Sequence, residues 1–137
     1  MRKCVVNNLD ETRMLAERFA KTLKAGDVVL LNGDLGAGKT SFTQFVFKCM
    51  GVEQVVNSPT FAVLKSYNAK GAVLNHIDAY RITTEEAIEC GFDEVLSSSD
   101  SITFIEWSQN ISELLPKNCI KIDIIIVNGK REFVFYD

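Results

Sequence analysis

The sequence predicts an α/β fold of three layers, with a mixed parallel and antiparallel sheet and a C-terminal β-hairpin, on three observations. Asp27-Val-Val-Leu-Leu-Asn32 holds four apolar residues without alternation, the pattern of a central strand covered on both faces. A glycine-rich turn follows directly, and then Phe42, Phe45, Val46, Cys49 and Met50 recur at helical spacing up to Gly51. Near the end, Asn128-Gly129 separates two β-prone runs, residues 119–127 and 132–136. Asn-Gly tolerates the positive φ angles of a type I′ hairpin turn.

The remaining elements follow in chain order. Leu15, Phe19 and Leu23 recur every four residues beside Ala16 and Ala20, predicting an amphipathic helix that opens near Asp10 as its cap and stops by Gly26. Residues 61–67 and 72–78 are apolar and β-prone around Asn68-Ala-Lys-Gly71, which predicts another hairpin. Thr83-Thr-Glu-Glu86 has the spacing of a capping box, so a short helix should run to Cys90 and end at Gly91. Ser101-Ile-Thr-Phe-Ile-Glu106 is a further strand, and residues 108–115 form a short helix ended by Pro116.

Composition narrows the function classes. The 137 residues suit one domain, 1–137, with no repeat or Pro- or Gly-rich linker to divide it. A net charge of −3 argues against a uniformly basic surface that coats nucleic acid. No apolar run is long enough to cross a bilayer and the start does not read as a signal peptide, so a cytoplasmic location is expected. Four cysteines, none in a CxxC pair, and a single histidine signal neither a zinc site nor a redox pair; the thiols are expected reduced and mostly buried.

The chemistry is concentrated after the central strand. Gly33-Asp34-Leu35-Gly36-Ala37-Gly38-Lys39-Thr40 satisfies G-x-x-x-x-G-K-[ST] between a buried strand and a helix, the context a phosphate loop requires. The glycines let successive N–H groups and the helix N-terminus face phosphates. Lys39 supplies charge near the β- and γ-phosphates, and the Thr40 hydroxyl suits Mg²⁺ bound to the same oxygens. The site assignment runs from Gly33 through Ser41, in a P-loop nucleotide-binding fold.

Phosphoryl chemistry also needs a carboxylate at the end of a neighbouring strand, to hold Mg²⁺ or orient water. Asp78 and Glu106 each end an apolar, β-prone run, and spacing does not decide which of them contacts the metal. His76 shares a strand face with Asp78; it reads as a hydrogen-bonded core residue or a positioning group. Arg81 reads as a charge stabiliser or a surface residue, and Trp107 as a site-lining aromatic or a core filler.

Four blocks occur in order along the chain: Gly33-Asp-Leu-Gly-Ala-Gly-Lys-Thr40, Ser58-Pro-Thr-Phe61, His76-Ile-Asp-Ala-Tyr-Arg81 and Ile105-Glu-Trp107. Together they resemble the TsaE family, the small ATPase of bacterial threonylcarbamoyladenosine tRNA modification. The resemblance implies Mg-ATP hydrolysis with ATP and Mg²⁺ as cofactors, and association with the TsaD and TsaB proteins that modify adenosine 37. It implies phosphate and metal duties for Lys39 and Thr40, a switch-type role for Thr60 near the γ-phosphate, an acidic pair in Asp78 and Glu106, and Trp107 beside the nucleotide. Ser41 stands where the family often has a second threonine, and Ala62 where a polar residue is common.

Other classes fit less well. A small kinase would need a lid or acceptor-binding arginines, and the chain has only five Arg. A GTPase would carry Asn-Lys-x-Asp, which is absent. A nucleotide-gated binding module without turnover shares the same loop and is separated from an ATPase by phosphate release.

Overall fold

The computed structural model describes residues 1–34, 36–56 and 63–136. Its elements are β1 (Arg2–Val6), α1 (Leu9–Ala20), β2 (Val28–Asn32), α2 (Lys39–Cys49), β3 (Leu64–Ala69), β4 (Ala72–Asp78), α3 (Thr84–Glu89), α4 (Phe92–Ser97), β5 (Ser101–Glu106), a 3₁₀ helix (Ser108–Leu114), β6 (Ile120–Val127) and β7 (Lys130–Tyr136). The strands form one sheet in the order β1-β7-β6-β2-β5-β4-β3. Strand β2 runs parallel to β5 and β6, and β4 parallel to β5. The pairs β1–β7, β6–β7 and β3–β4 are antiparallel, completing the expected mixed sheet.

Two apolar layers cover that sheet. On one face α1 and α2 pack over Val29, Leu31, Leu74, Phe104 and Ile122. On the other, α3, α4 and the 3₁₀ helix cover Val28, Ile77 and Ile105. The unalternated Val28–Leu31 run is thus explained, since successive side chains enter different cores. Phe104 anchors the larger core, fully buried, with its ring centroid 6.3 Å from that of Phe19 and 5.2 Å from that of Phe47.

Several local expectations shift. Asn8, rather than Asp10, caps α1: its side chain accepts from the Glu11 N–H at 2.9 Å. Asp10 and Glu11 instead occupy the first turn, where carboxylates favour the positive end of the helix. The helix closes at Ala20, six residues before Gly26, and turns carry the chain onward. The hairpin turn between β3 and β4 is the pair Lys70-Gly71, both with positive φ, so β3 extends to Ala69. Asn128 and Gly129 take φ of 52° and 76°, as the type I′ reading requires.

The capping box forms as expected, with Thr83 and Glu86 exchanging side chain to backbone bonds. Gly91 ends α3, but it also serves at φ 82° as the left-handed start of α4, a helix absent from the sequence reading. The helix after β5 is 3₁₀, broken at Ile111 (φ −127°, ψ 32°). Strand β1 is likewise new. The expectation of mostly buried cysteines fails: Cys4 and Cys119 are half-buried, while Cys49 at the end of α2 and Cys90 at the cap of α3 lie exposed; all four are free.

Candidate functional site

Because β2, β4 and β5 are parallel, their C-terminal ends lie on one side of the sheet, where α/β folds bind ligands. Register brings the acids together. Asp78 pairs with Glu106, and Leu31, one residue before the end of β2, pairs with Glu106 on the other side. The loop after β2 then turns into α2 through Gly38 at φ 108°, a conformation that favours glycine. A cavity of about 730 Å³ opens there, lined by Gly36 to Ser41, Val63, Asp78, Tyr80, Arg81, Glu106, Trp107 and Arg131.

Lys39 is the first residue of α2 and is only 5% exposed, although charged. Its Nζ donates to the Gly33 carbonyl and lies 4.4 Å from the centre of the Trp107 ring. Burial holds the ammonium below the usual lysine range, against the opposing pull of Glu106, Asp78 and Asp34. An ammonium whose one hydrogen bond among the described residues goes to a carbonyl has donors left for an anion.

Glu106 is 4% exposed, and its Oε2 accepts two hydrogen bonds: 2.7 Å from His76 Nε2 and 3.3 Å from the Thr40 hydroxyl. Donation from Nε2–H sets the His76 tautomer and leaves Nδ1 buried without a partner among the described residues. Both readings of His76 therefore combine, since it is a fully buried core residue and it holds the site acid. Asp78 is half-buried, and its Oδ1 accepts from the Tyr80 N–H at 3.0 Å, which bends the chain out of β4. Trp107 leaves β5 in a left-handed conformation (φ 61°, ψ 39°), turning its indole onto Lys39 and to within 4.9 Å of the Tyr80 ring.

Gly36, Ala37, Gly38, Lys39, Thr40, Ser41, Asp78, Glu106 and Trp107 thus share one cavity. Gly33 and Asp34 line a smaller hollow beside it, against β6. Gly33 still shapes the site: a Cβ there would meet the Ile124 carbonyl oxygen at 2.7 Å. Leu35 and Thr60 lie outside the described residues. Sequence reasoning missed Arg131 and Tyr80. The arginine reaches the loop from β7, 94 residues on, and no local pattern announces so distant a contact. Tyr80 stands inside the His76–Arg81 block and was legible only as part of it.

The donors around the cavity suit a magnesium–phosphate group. Thr40 and Glu106 present adjacent hard oxygens, and no group of three or more His, Cys, Asp or Glu side chains among the described residues is placed to hold a metal ion by itself. Magnesium is commonly held by one or two protein oxygens, with phosphates and water completing its shell.

The family model described as threonylcarbamoyl adenosine biosynthesis protein TsaE matches residues 6–133. The chain is 40% identical over 129 residues to the tRNA threonylcarbamoyladenosine biosynthesis protein TsaE of Rickettsia felis, covering 93% of this chain and 74% of that one. It is also 40% identical over 129 residues to the protein of that name from Bacillus subtilis, covering 93% and 80%. The crystal structure of YdiB from Bacillus subtilis aligns with a TM-score of 0.83 and 34% identity, over 98% of this chain and 83% of that one.

Proposed function

Because the chain belongs to the TsaE family, we propose that it is the ATP-hydrolysing subunit of tRNA threonylcarbamoyladenosine biosynthesis, acting in the cytoplasm on the TsaD–TsaB assembly that modifies adenosine 37. It reaches tRNA through that assembly. No helix among the described residues is long and apolar enough to cross a membrane. The observation that carries the proposal is the convergence of Lys39 Nζ, Thr40 Oγ1 and Glu106 Oε2 in one cavity at the head of α2.

Lys39 would exchange the Gly33 carbonyl for the β- and γ-phosphates, gaining a full charge partner in place of a dipole. The first N–H groups of α2 have no intrahelical acceptors and add their donors to the same anion. Thr40 and Glu106 would hold Mg²⁺, which when bound neutralises phosphate charge. Glu106, fixed on one oxygen by His76, keeps its other oxygen to orient the attacking water or complete the metal shell. Thr60 is proposed to close on the γ-phosphate, and Asp78 to support the metal's water shell from β4.

Calorimetric titration with Mg-ADP and Mg-ATP tests this. A lost charge-assisted contact is worth about 1.5–3 kcal/mol, so Lys39→Ala should weaken binding about ten- to a hundred-fold while the variant stays folded. Wild-type affinity in that variant would contradict the assignment.

A further inference from the structure

Arg131 stands on β7, two residues after the Gly129 turn, and its Nε donates to the Ala37 carbonyl at 2.7 Å. Its Nη2 reaches the Gly36 carbonyl at 3.5 Å. The guanidinium therefore lies along the phosphate loop itself. The approach is close enough that a Cβ on Gly38 would come within 3.0 Å of Nε. Register fixes the arginine from both sides, since β7 pairs Arg131 with Ile126 of β6 and with Val6 of β1. Strand β6 in turn runs beside β2, the strand that feeds the loop.

A trans peptide unit points its C=O and N–H in opposite directions. The Ala37 carbonyl and the Gly38 N–H belong to one such unit, so holding the carbonyl toward Arg131 aims the Gly38 N–H away from it. That N–H makes no backbone hydrogen bond among the described residues, whereas the Ala37 N–H is already taken by the Asp34 carbonyl. Gly36 and Gly38, at φ +81° and +108°, have backbone freedom that favours many loop shapes. An external clamp removes that freedom before any anion arrives.

We propose that Arg131 is a positioning residue for phosphate binding: by gripping the Ala37 carbonyl it presets the Gly38 N–H, so that Gly36 to Lys39 are ordered in the nucleotide-free protein. This rests on the nucleotide-binding reading above and adds a residue from the far end of the chain to it. A rigid planar fork with several charged donors suits the task, and a lysine would restore the charge with poorer geometry.

The test compares wild type, Arg131→Ala and Arg131→Lys in two measurements. In the protein without nucleotide, amide exchange at Ala37, whose N–H is bonded to the Asp34 carbonyl, should speed at least fivefold in Arg131→Ala, with β2 and β5 amides protected as before. Mg-ADP titration should then show about tenfold weaker binding, Arg131→Lys should recover part of both losses, and in turnover KM should rise by a larger factor than kcat falls. Faster exchange across the whole sheet would mean a general structural role and would overturn the proposal. So would weaker binding without faster loop exchange, which would place the arginine on the nucleotide instead. If Arg131→Ala does not fold, Arg131→Gln carries the same comparison. Failure of the wild type to bind Mg-ADP would sink the nucleotide reading, while the exchange measurement would still decide whether Arg131 orders the loop.

Discussion

Burial of Lys39 disfavours its charged form in the folded protein when no anion is bound. Burial lowers its pKa, so the folded chain releases the proton more readily than the unfolded chain does. Below the lowered value both states carry the charge and the cost is fully present; stability rises as pH climbs from there toward the unfolded lysine range, where the unfolded chain still holds its proton. Lys39→Met should therefore match or exceed the wild-type melting temperature without nucleotide, and lose the pH-dependent gain, although its Mg-ADP binding weakens about ten- to a hundred-fold, as for Lys39→Ala. A drop of several degrees would show that the Gly33 carbonyl and Trp107 contacts outweigh burial. Glu106→Gln is the complementary variant. It preserves shape and leaves an oxygen for His76, so nucleotide binding should persist while phosphate release falls at least tenfold. If Asp78→Asn separates binding from turnover and Glu106→Gln does not, the two acids have been assigned in the wrong order.

At the scale of elements, caps and turns show what local sequence can specify. The Thr83 box is self-contained within four residues, and Thr83→Ala should cost about 1 kcal/mol, lowering the melting temperature by about 2–5 °C in a thermal scan. No shift would mean that the reciprocal bonds contribute nothing net. The glycine turn between β2 and α2, the strand-end positions of Asp78 and Glu106 and the Asn128-Gly129 turn were legible for the same reason, since each follows from a few adjacent residues. Strand β1 was not, because Arg2 and Lys3 are exposed and its pairing partner lies at the opposite end of the chain, with Arg2 opposite Phe135. Helix α4 escaped because Gly91 reads as a stop, while its positive φ also allows a new start. The His76–Glu106 bond spans 30 residues and depends on β4 lying beside β5, a topology that neither strand states alone.

Across the whole molecule, the parallel centre of the sheet places the ends of β4 and β5 and the loop that follows β2 around one cavity, and the antiparallel β6–β7 hairpin brings Arg131 to its rim. In the proposed function, Lys39, Thr40 and Glu106 would serve phosphate, metal and water; Arg81 also lines the cavity, but Arg131 is engaged with loop carbonyls. A partner that supplies a charge would complete such a site; arginine fingers added in trans accelerate related enzymes by about 10³–10⁵. Isolated turnover should therefore be slow and partner-dependent. The most direct test is steady-state phosphate release at saturating Mg-ATP, from the chain alone and with purified TsaD and TsaB of the same organism, with Glu106→Gln as control. Release should be slow alone, rise at least tenfold with the partners, and be lost under both conditions in the variant. No release under either condition, or full activity alone with no response to the partners, would contradict this expectation.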